Sequence, residues 1–284
     1  MTTTAIEKIL VPLGGSDYNV PTLKVACGLA RDFTAELVGL HVEDIRISEG
    51  PAVIKDPMTI SMNPFYQGDS KEIEKRLKER SAAVRKYFKE CAGVFGAKET
   101  FLAKRGLVAQ EILNVAEDCD IVVMGKRGEH GQWIRPWLGS SAVRVIHSLK
   151  KTLVLVGKNV SPDWKNCLLV SVDGDFGQGA LHFAKTLATQ GNVKLHLVNL
   201  LVDSGESAKV QSTIQDILGV GEIPTTHVSA KKDAVDAVKQ AVAEAQAEVV
   251  LMESMGIKGK SVVARRLESD LLDQMAASVI LIRE

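Results

Sequence analysis

Hydrophobic residues along this chain occur in short continuous runs, separated by longer segments whose apolar positions recur with helical spacing. In the first half, the apolar runs predict strands near residues 8–13, 35–42, 98–104, 120–124 and 152–156. The segments between them predict helices near residues 19–31, 70–94, 107–117 and 139–149. Continuous apolar strands are typical of parallel sheets covered on both faces, and right-handed crossovers then give a doubly wound α/β fold.

The second half of the chain repeats the pattern of the first. Residues 8–44 and residues 166–203 both contain an apolar strand, a turn with Gly or Asp, a helix spaced A-x-x-L-A, and a second apolar strand. We therefore expect two five-stranded parallel-sheet modules, residues 1–158 and 159–284, each wound on both faces.

The last strand of each module is apolar and would leave an open sheet edge if it stayed unpaired. These strands are residues 153–156 and 279–282. We expect them to lie side by side and antiparallel, so that the modules pair within the chain about a pseudo-two-fold axis. A homodimer of the whole chain is a further expected form of assembly.

The charge balance and the cysteines of the chain limit the classes of function that it can have. Thirty-five basic residues balance 35 acidic ones, so the chain lacks the basic excess of proteins that bind nucleic acid or membrane surfaces. Four widely spaced cysteines predict buried, neutral thiols rather than a disulfide framework. No residues have the spacing of a metal site or the arrangement of a catalytic site, and we expect a cytoplasmic protein that is not an enzyme, or at most a very slow ATPase.

Three motifs in order, ILVPLGGS near the start, LHVED after the second strand and MGKRG…LGSS after the fourth, resemble the universal stress protein family, tandem type. The resemblance covers nearly the whole chain. It implies an adenine nucleotide alpha hydrolase-like fold, a stress-response or regulatory role, and ATP or ADP as ligand, with Mg²⁺ accompanying a bound nucleotide. ATP-binding members carry G-x2-G-x9-G-[S/T] after the fourth strand and an Asp in the turn after the first.

The physical basis of that motif is that glycines let backbone N–H groups approach an anion, while a helix start adds free N–H donors and the positive end of the helix dipole. Lys126, Arg127 and His130 would add positive charge beside these donors. Together, the motif and the resemblance give the candidate nucleotide-binding residues Pro12, Leu13, Gly14, Val42, Met124, Gly125, Arg127, Gly128, Gly139, Ser140 and Ser141.

Both modules depart from the family pattern. In the first module, Gly14 stands where the family has its Asp, and ten residues rather than nine separate Gly128 from Gly139. The second module keeps an acid in its first turn, Asp173, but Glu253 aligns with Gly125. In addition, two arginines align with the Gly-Ser pair that opens the last helix of the first module, Arg265 and Arg266.

Residues 45–70 form an insertion without a counterpart of similar length in the second module, and we expect a lid, a surface for a protein partner, or a loop packed on its own module. The favoured hypothesis is a stress-response protein that binds an adenine nucleotide weakly in the first module, the second being structural or protein-contacting. The alternative is an interaction protein that binds no nucleotide, in which both sites have decayed.

Overall fold

The computed structural model describes residues 6–14, 19–45, 70–126, 140–157, 161, 163–172, 178–201, 224–229, 234–254, 268–272 and 274–283. The strands of the first module are β1 Lys8–Pro12, β2 Glu36–Asp44, β3 Glu99–Gly106, β4 Ile121–Gly125 and β5 Thr152–Val156. Its helices are α1 Asn19–Phe33, α2 Ser70–Phe95, α3 Val108–Ala116 and α4 Ser140–Ser148. These bounds lie close to the predicted ones because β1, β4 and β5 are continuous apolar runs and β2 is mostly apolar, whereas β3 has apolar residues only near its start.

The second module has the same order of strands, and a counterpart of α2 would fall in residues 202–223, outside the described residues. Its strands are β6 Asn166–Val172, β7 Lys194–Leu201, β8 Thr225–Ser229, β9 Val249–Glu253 and β10 Ser278–Ile282. Its helices are α5 Gln178–Thr189, α6 Ala234–Ala245 and α7, residues 268–272.

All ten strands form one sheet in the order β3-β2-β1-β4-β5-β10-β9-β6-β7-β8. The order reads the same from either end once each strand is exchanged for its repeat, as a pseudo-two-fold axis requires. Neighbouring strands within each module are parallel, whereas β5 and β10 pair antiparallel with Val154 opposite Ile280. The predicted fold and the antiparallel pairing of the terminal strands are confirmed.

An equivalent contact in each module shows the repeat at atomic level. The Asp120 carboxylate accepts hydrogen bonds from the backbone N–H groups of Glu7 and Lys8, at 2.8 and 3.0 Å. In the second module, the Glu248 carboxylate accepts from Lys165 and Asn166, at 3.1 and 2.8 Å. Each acid precedes the fourth strand of its module and fixes the start of the first.

Two apolar layers cover the sheet, one on each face. One contains α1, α2 and α5, and it crosses from one module to the other where the rings of Phe33 and Phe183 lie 4.9 Å apart. The other contains α3, α4, α6 and α7. Helices on both faces of a largely parallel sheet define the doubly wound architecture.

Helix α2 presents a charged face to solvent, where Glu72 pairs with Arg76 and Glu74 with Lys78. The four cysteines are free, and the prediction that they are buried is confirmed for Cys27, Cys119 and Cys167, whereas Cys91 is partly buried. Burial raises the pKa of Cys27 to about 12 and that of Cys119 to about 11, so both are neutral thiols at pH 7.

Candidate functional site

The carboxyl ends of β1 and β4 define a crevice in the first module. From β1 the chain continues to β2 and β3 on one side of the sheet, whereas β4 and β5 lie on the other side. The reversal between β1 and β4 is the position at which open α/β sheets bind ligands. Two candidate residues lie at these strand ends, Pro12 on β1 and Gly125 on β4.

Gly14 lies in the turn after β1 and is held by the first residue of α1. The Asn19 side chain accepts a hydrogen bond from the Gly14 N–H at 3.3 Å and donates one to the Gly14 carbonyl. A Cβ built on Gly14 would have no other atom within 4 Å. The position therefore has space for the aspartate that the family motif carries there.

Leu13 contributes to the crevice as structural support. Its side chain is buried in the core, its N–H donates to the Leu40 carbonyl at 2.7 Å, and its own carbonyl lies 2.9 Å from Nδ1 of His41. His41 is buried and has a hydrogen-bond partner, so it is a histidine of the core. Both backbone polar groups of Leu13 already have partners within the module.

Val42 presents its backbone rather than its side chain to the crevice. The carbonyl of Leu40 faces β1, and backbone groups two residues apart on a strand face the same side. The pairing of β1 with β2 ends at Pro12 opposite Leu40. The N–H and C=O of Val42 therefore point into the space beyond the end of β1.

The remaining candidate residues follow β4. Met124 is buried, and Gly125 is the last residue of β4 and is partly exposed. Ser140 and Ser141 begin α4, whose N-terminus lies at the same end of the sheet, because a crossover helix runs antiparallel to the strands that it connects. Three candidates lie outside the described residues, as do His130 and most of the 45–70 insertion: Arg127, Gly128 and Gly139.

The expectation that Lys126 places charge beside the phosphates was wrong. Its side chain is 2% exposed and crosses to the second module, where Nζ donates to the carbonyl of Met275 and, at 2.8 Å, to that of Ala277. These carbonyls follow the end of α7 and lack helical N–H partners, so they are good acceptors for an amine. The local sequence G-K-R-G gives no sign of acceptors about 150 positions further along the chain.

The equivalent crevice of the second module has a different chemical character. Gly125 lies opposite Val156, and Glu253 lies opposite Ile282 in the equivalent strand pair, so the predicted alignment of Gly125 with Glu253 is confirmed. A carboxylate therefore ends β9 where a glycine ends β4.

The alignment of the first turns differs from the expected one by one residue. Lys8 lies opposite Glu36, and Asn166 lies opposite Lys194 in the equivalent strand pair. This register aligns Gly14 with Val172, so Asp173, which is outside the described residues, follows one position later than the acid of the motif.

Sequence reasoning missed one residue of this site, Asn19. The sequence could have indicated this role, because Asn is a preferred residue at the start of a helix and its side chain often binds the backbone of the preceding turn. Its two bonds tie the start of α1 to Gly14, a position with open space at its Cβ.

These features define a tandem, doubly wound α/β protein whose two strand-end crevices have diverged. The model of the universal stress protein family matches residues 5–157, which is more than half of the chain. The chain belongs to the universal stress protein family.

Relatives of known name agree with this assignment. A universal stress protein of Methanocaldococcus jannaschii is 32% identical over 155 residues, which cover 54% of this chain and 82% of that protein. One from Synechocystis is 24% identical over 208 residues, covering 69% of this chain and 70% of that protein. The crystal structure of a universal stress protein from Archaeoglobus fulgidus superposes with a TM-score of 0.71 at 16% identity, covering 97% of this chain and 98% of that one.

Among the helices in the described ranges, none is both long and apolar enough to cross a bilayer.

Proposed function

We propose that the first module binds one adenine nucleotide and that the second module serves as a structural or protein-contacting copy in a stress-response protein. Three features support an adenosine moiety at the strand-end crevice: its place at the reversal of strand order, the backbone groups of Val42 that face it, and the space at Gly14. The N-terminus of α4 adds the dipole and free N–H donors that suit a phosphate.

The contrast between Gly125 and Glu253 carries this proposal. Both residues end the fourth strand of their module, at the same register against the fifth strand. A carboxylate about 4 Å from a phosphate oxygen would repel it by about 4 kcal/mol at the effective dielectric constant of a protein surface. The glycine of the first module leaves the position neutral, which favours one nucleotide per chain.

We infer a binding role rather than hydrolysis. The candidate residues that the structure describes at the ends of β1, β2 and β4 are Pro12, Leu13, Gly14, Val42, Met124 and Gly125. None of these six side chains can accept a proton from an attacking water, as general-base catalysis requires. The two carboxylates that end β2, Glu43 and Asp44, lie beyond Val42 on the strand next to β1.

The first test transfers the glutamate of the second module into the first. We expect Gly125→Glu to weaken ATP binding at least a hundredfold, about 2.7 kcal/mol, because the added charge opposes the phosphates. Isothermal titration calorimetry with Mg-ATP on wild type and variant measures the change. Glu253→Ala, at the matching register of the second module, is the control and should bind ATP as the wild type does. Equal heats from wild type and Gly125→Glu would favour the alternative of an interaction protein without nucleotide.

The second test restores the missing acid of the first turn. We expect Gly14→Asp to tighten ATP binding about tenfold, because a carboxylate there could accept a hydrogen bond from the nucleoside, worth about 1–3 kcal/mol. The open Cβ position means that the substitution should fold without displacing a neighbour. Calorimetry gives the affinity, and Gly14→Asn, which has the same shape without the charge, is the matched control. Unchanged or weaker binding by Gly14→Asp would show that this turn does not contact the nucleoside.

A further inference from the structure

Two cationic side chains cross the seam between the modules in opposite directions. Lys126, directly after β4, reaches the carbonyls of Met275 and Ala277 beyond the end of α7. Arg283, directly after β10, donates through Nη1 to the carbonyl of Leu149 and through Nη2 to that of Ile146, the latter at 2.6 Å. Each module therefore places a basic side chain on the carbonyl end of the last helix of the other module.

The two contacts reach equivalent helix ends, but their donors stand at different positions of the repeat. The N–H of Lys126 donates to the Val156 carbonyl, and the N–H of Ser254 donates to the Ile282 carbonyl. Lys126 and Arg283 thus occupy the two sides of a pseudo-symmetric junction, one after a fourth strand and the other after a fifth. Cations at a helix C-terminus are favourable because they meet unpaired carbonyls and the negative end of the helix dipole.

Both contacts hold elements that build the proposed phosphate site. Lys126 directly follows Gly125, so its side chain anchors the end of β4 at the crevice. Arg283 holds the C-terminal end of α4, whose first residues, Ser140 and Ser141, begin at that crevice. Helix α4 is nine residues long, about 13 Å, and such a short rigid element moves as one body.

We propose that the second module positions the phosphate-binding elements of the first, with Arg283 as the positioning residue for α4 and Lys126 as the anchor for the end of β4. The inference rests on the proposed nucleotide site. It gives the degenerate module a role in ligand affinity without a ligand of its own, because two of its backbone carbonyls and one of its side chains complete the support of the neighbouring site.

The Arg283 contact requires a side chain that can donate hydrogen bonds from two nitrogens at once. The side chain is partly buried, and its Nε has no hydrogen-bond partner among the described residues, so its known donations run through the two terminal nitrogens. Burial lowers the pKa of Arg283, and the neighbouring Glu268 carboxylate opposes that shift and favours the charged form. Methionine at this position would fill much of the space but could not donate to either carbonyl.

The test compares Arg283→Met with Arg283→Lys and with Arg144→Met, a control that removes an exposed arginine from α4 itself. Hydrogen exchange of the ligand-free proteins reports the support of α4, and Mg-ATP calorimetry reports the site. We expect Arg283→Met to speed exchange across residues 140–148, to leave β1 protected, and to weaken ATP binding roughly three- to thirtyfold. Arg283→Lys should recover part of both effects, and Arg144→Met should match the wild type.

Four outcomes would contradict the proposal or the site on which it rests. Faster exchange in α4 with unchanged ATP affinity would overturn the positioning role, and so would unchanged exchange in Arg283→Met. Loss of protection in β1 as well would mean that the substitution loosens the whole module, and this would also count against a specific role. If the wild type gives no heat with ATP, the proposed nucleotide site fails first, whatever the exchange of the variants.

Discussion

Ile280→Asp is expected to cost at least about 4 kcal/mol of unfolding free energy, a large part of the total stability of a typical domain. Ile280 is fully buried at the centre of β10, between Val154 of β5 and Leu251 of β9. The substitution removes an apolar side chain that joins the core of both modules and buries a carboxyl group there. Urea denaturation at pH 7 measures the loss.

Two control variants show how much of the loss in unfolding free energy comes from the buried charge at this site. Ile280→Val removes one methylene at the same site and should cost only about 0.5–1.5 kcal/mol. Thr226→Asp places the same new charge on β8, at an exposed position of the outer edge of the sheet, and should change stability by less than about 1 kcal/mol. An Ile280→Asp protein as stable as Thr226→Asp would mean that the antiparallel seam contributes little to holding the modules together.

The stability of the wild type should depend on the protonation of Lys126 above neutral pH. Burial lowers the pKa of Lys126 from 10.5 to about 7 in the folded protein. Above pH 7, its neutral amine has two N–H groups for the carbonyls of Met275 and Ala277. The folded state therefore releases a proton that the unfolded chain still binds.

The sign follows from this difference in bound protons. Between about pH 7 and pH 10.5 the unfolded state binds more protons, so the contribution of Lys126 to stability rises with pH and is lost as the pH falls through 7. We expect the unfolding free energy of the wild type to gain roughly 3 kcal/mol over Lys126→Met between pH 7 and pH 10. Denaturation curves at half-unit intervals measure this difference.

When the unfolding free energy of Lys126→Met is subtracted from that of the wild type at each pH, the contributions of the other titrating groups cancel. The buried cysteines act in the opposite direction, because their raised pKa values make the folded state lose stability as the pH rises above 9. Lys86→Met, which removes an exposed lysine of α2, should keep the wild-type pH dependence. A flat difference between wild type and Lys126→Met would mean that the amine stays charged in the folded protein.

The strands that are short apolar runs were predictable, because such runs are too short to form buried helices. A run such as Ile121–Gly125 is too short for a buried helix, and its neighbours on both sides are polar or glycine-rich. The repeat then supplied the pairing of β5 with β10, since an apolar terminal strand in each module needs a partner.

The candidate site was predictable only in part, because sequence motifs specify backbone geometry better than side-chain direction. Gly14 and Gly125 lie at the strand ends where the motifs placed them. Lys126 follows the same backbone pattern, yet its side chain extends away from the crevice, since its acceptors belong to the other module. Contacts that join residues so distant in sequence leave no local signal in either segment.

The unequal pair Lys126 and Arg283 restricts how this chain could be rearranged. At the matching positions stand Ser254, whose hydroxyl donates to Glu268 at 3.2 Å, and Gly157, which has no side chain. A dimer of two first modules would have Lys126 twice and Arg283 not at all, and a dimer of two second modules the reverse. The two halves are therefore not interchangeable subunits, and domain exchange with a related chain that lacks these residues would lose one side of the junction.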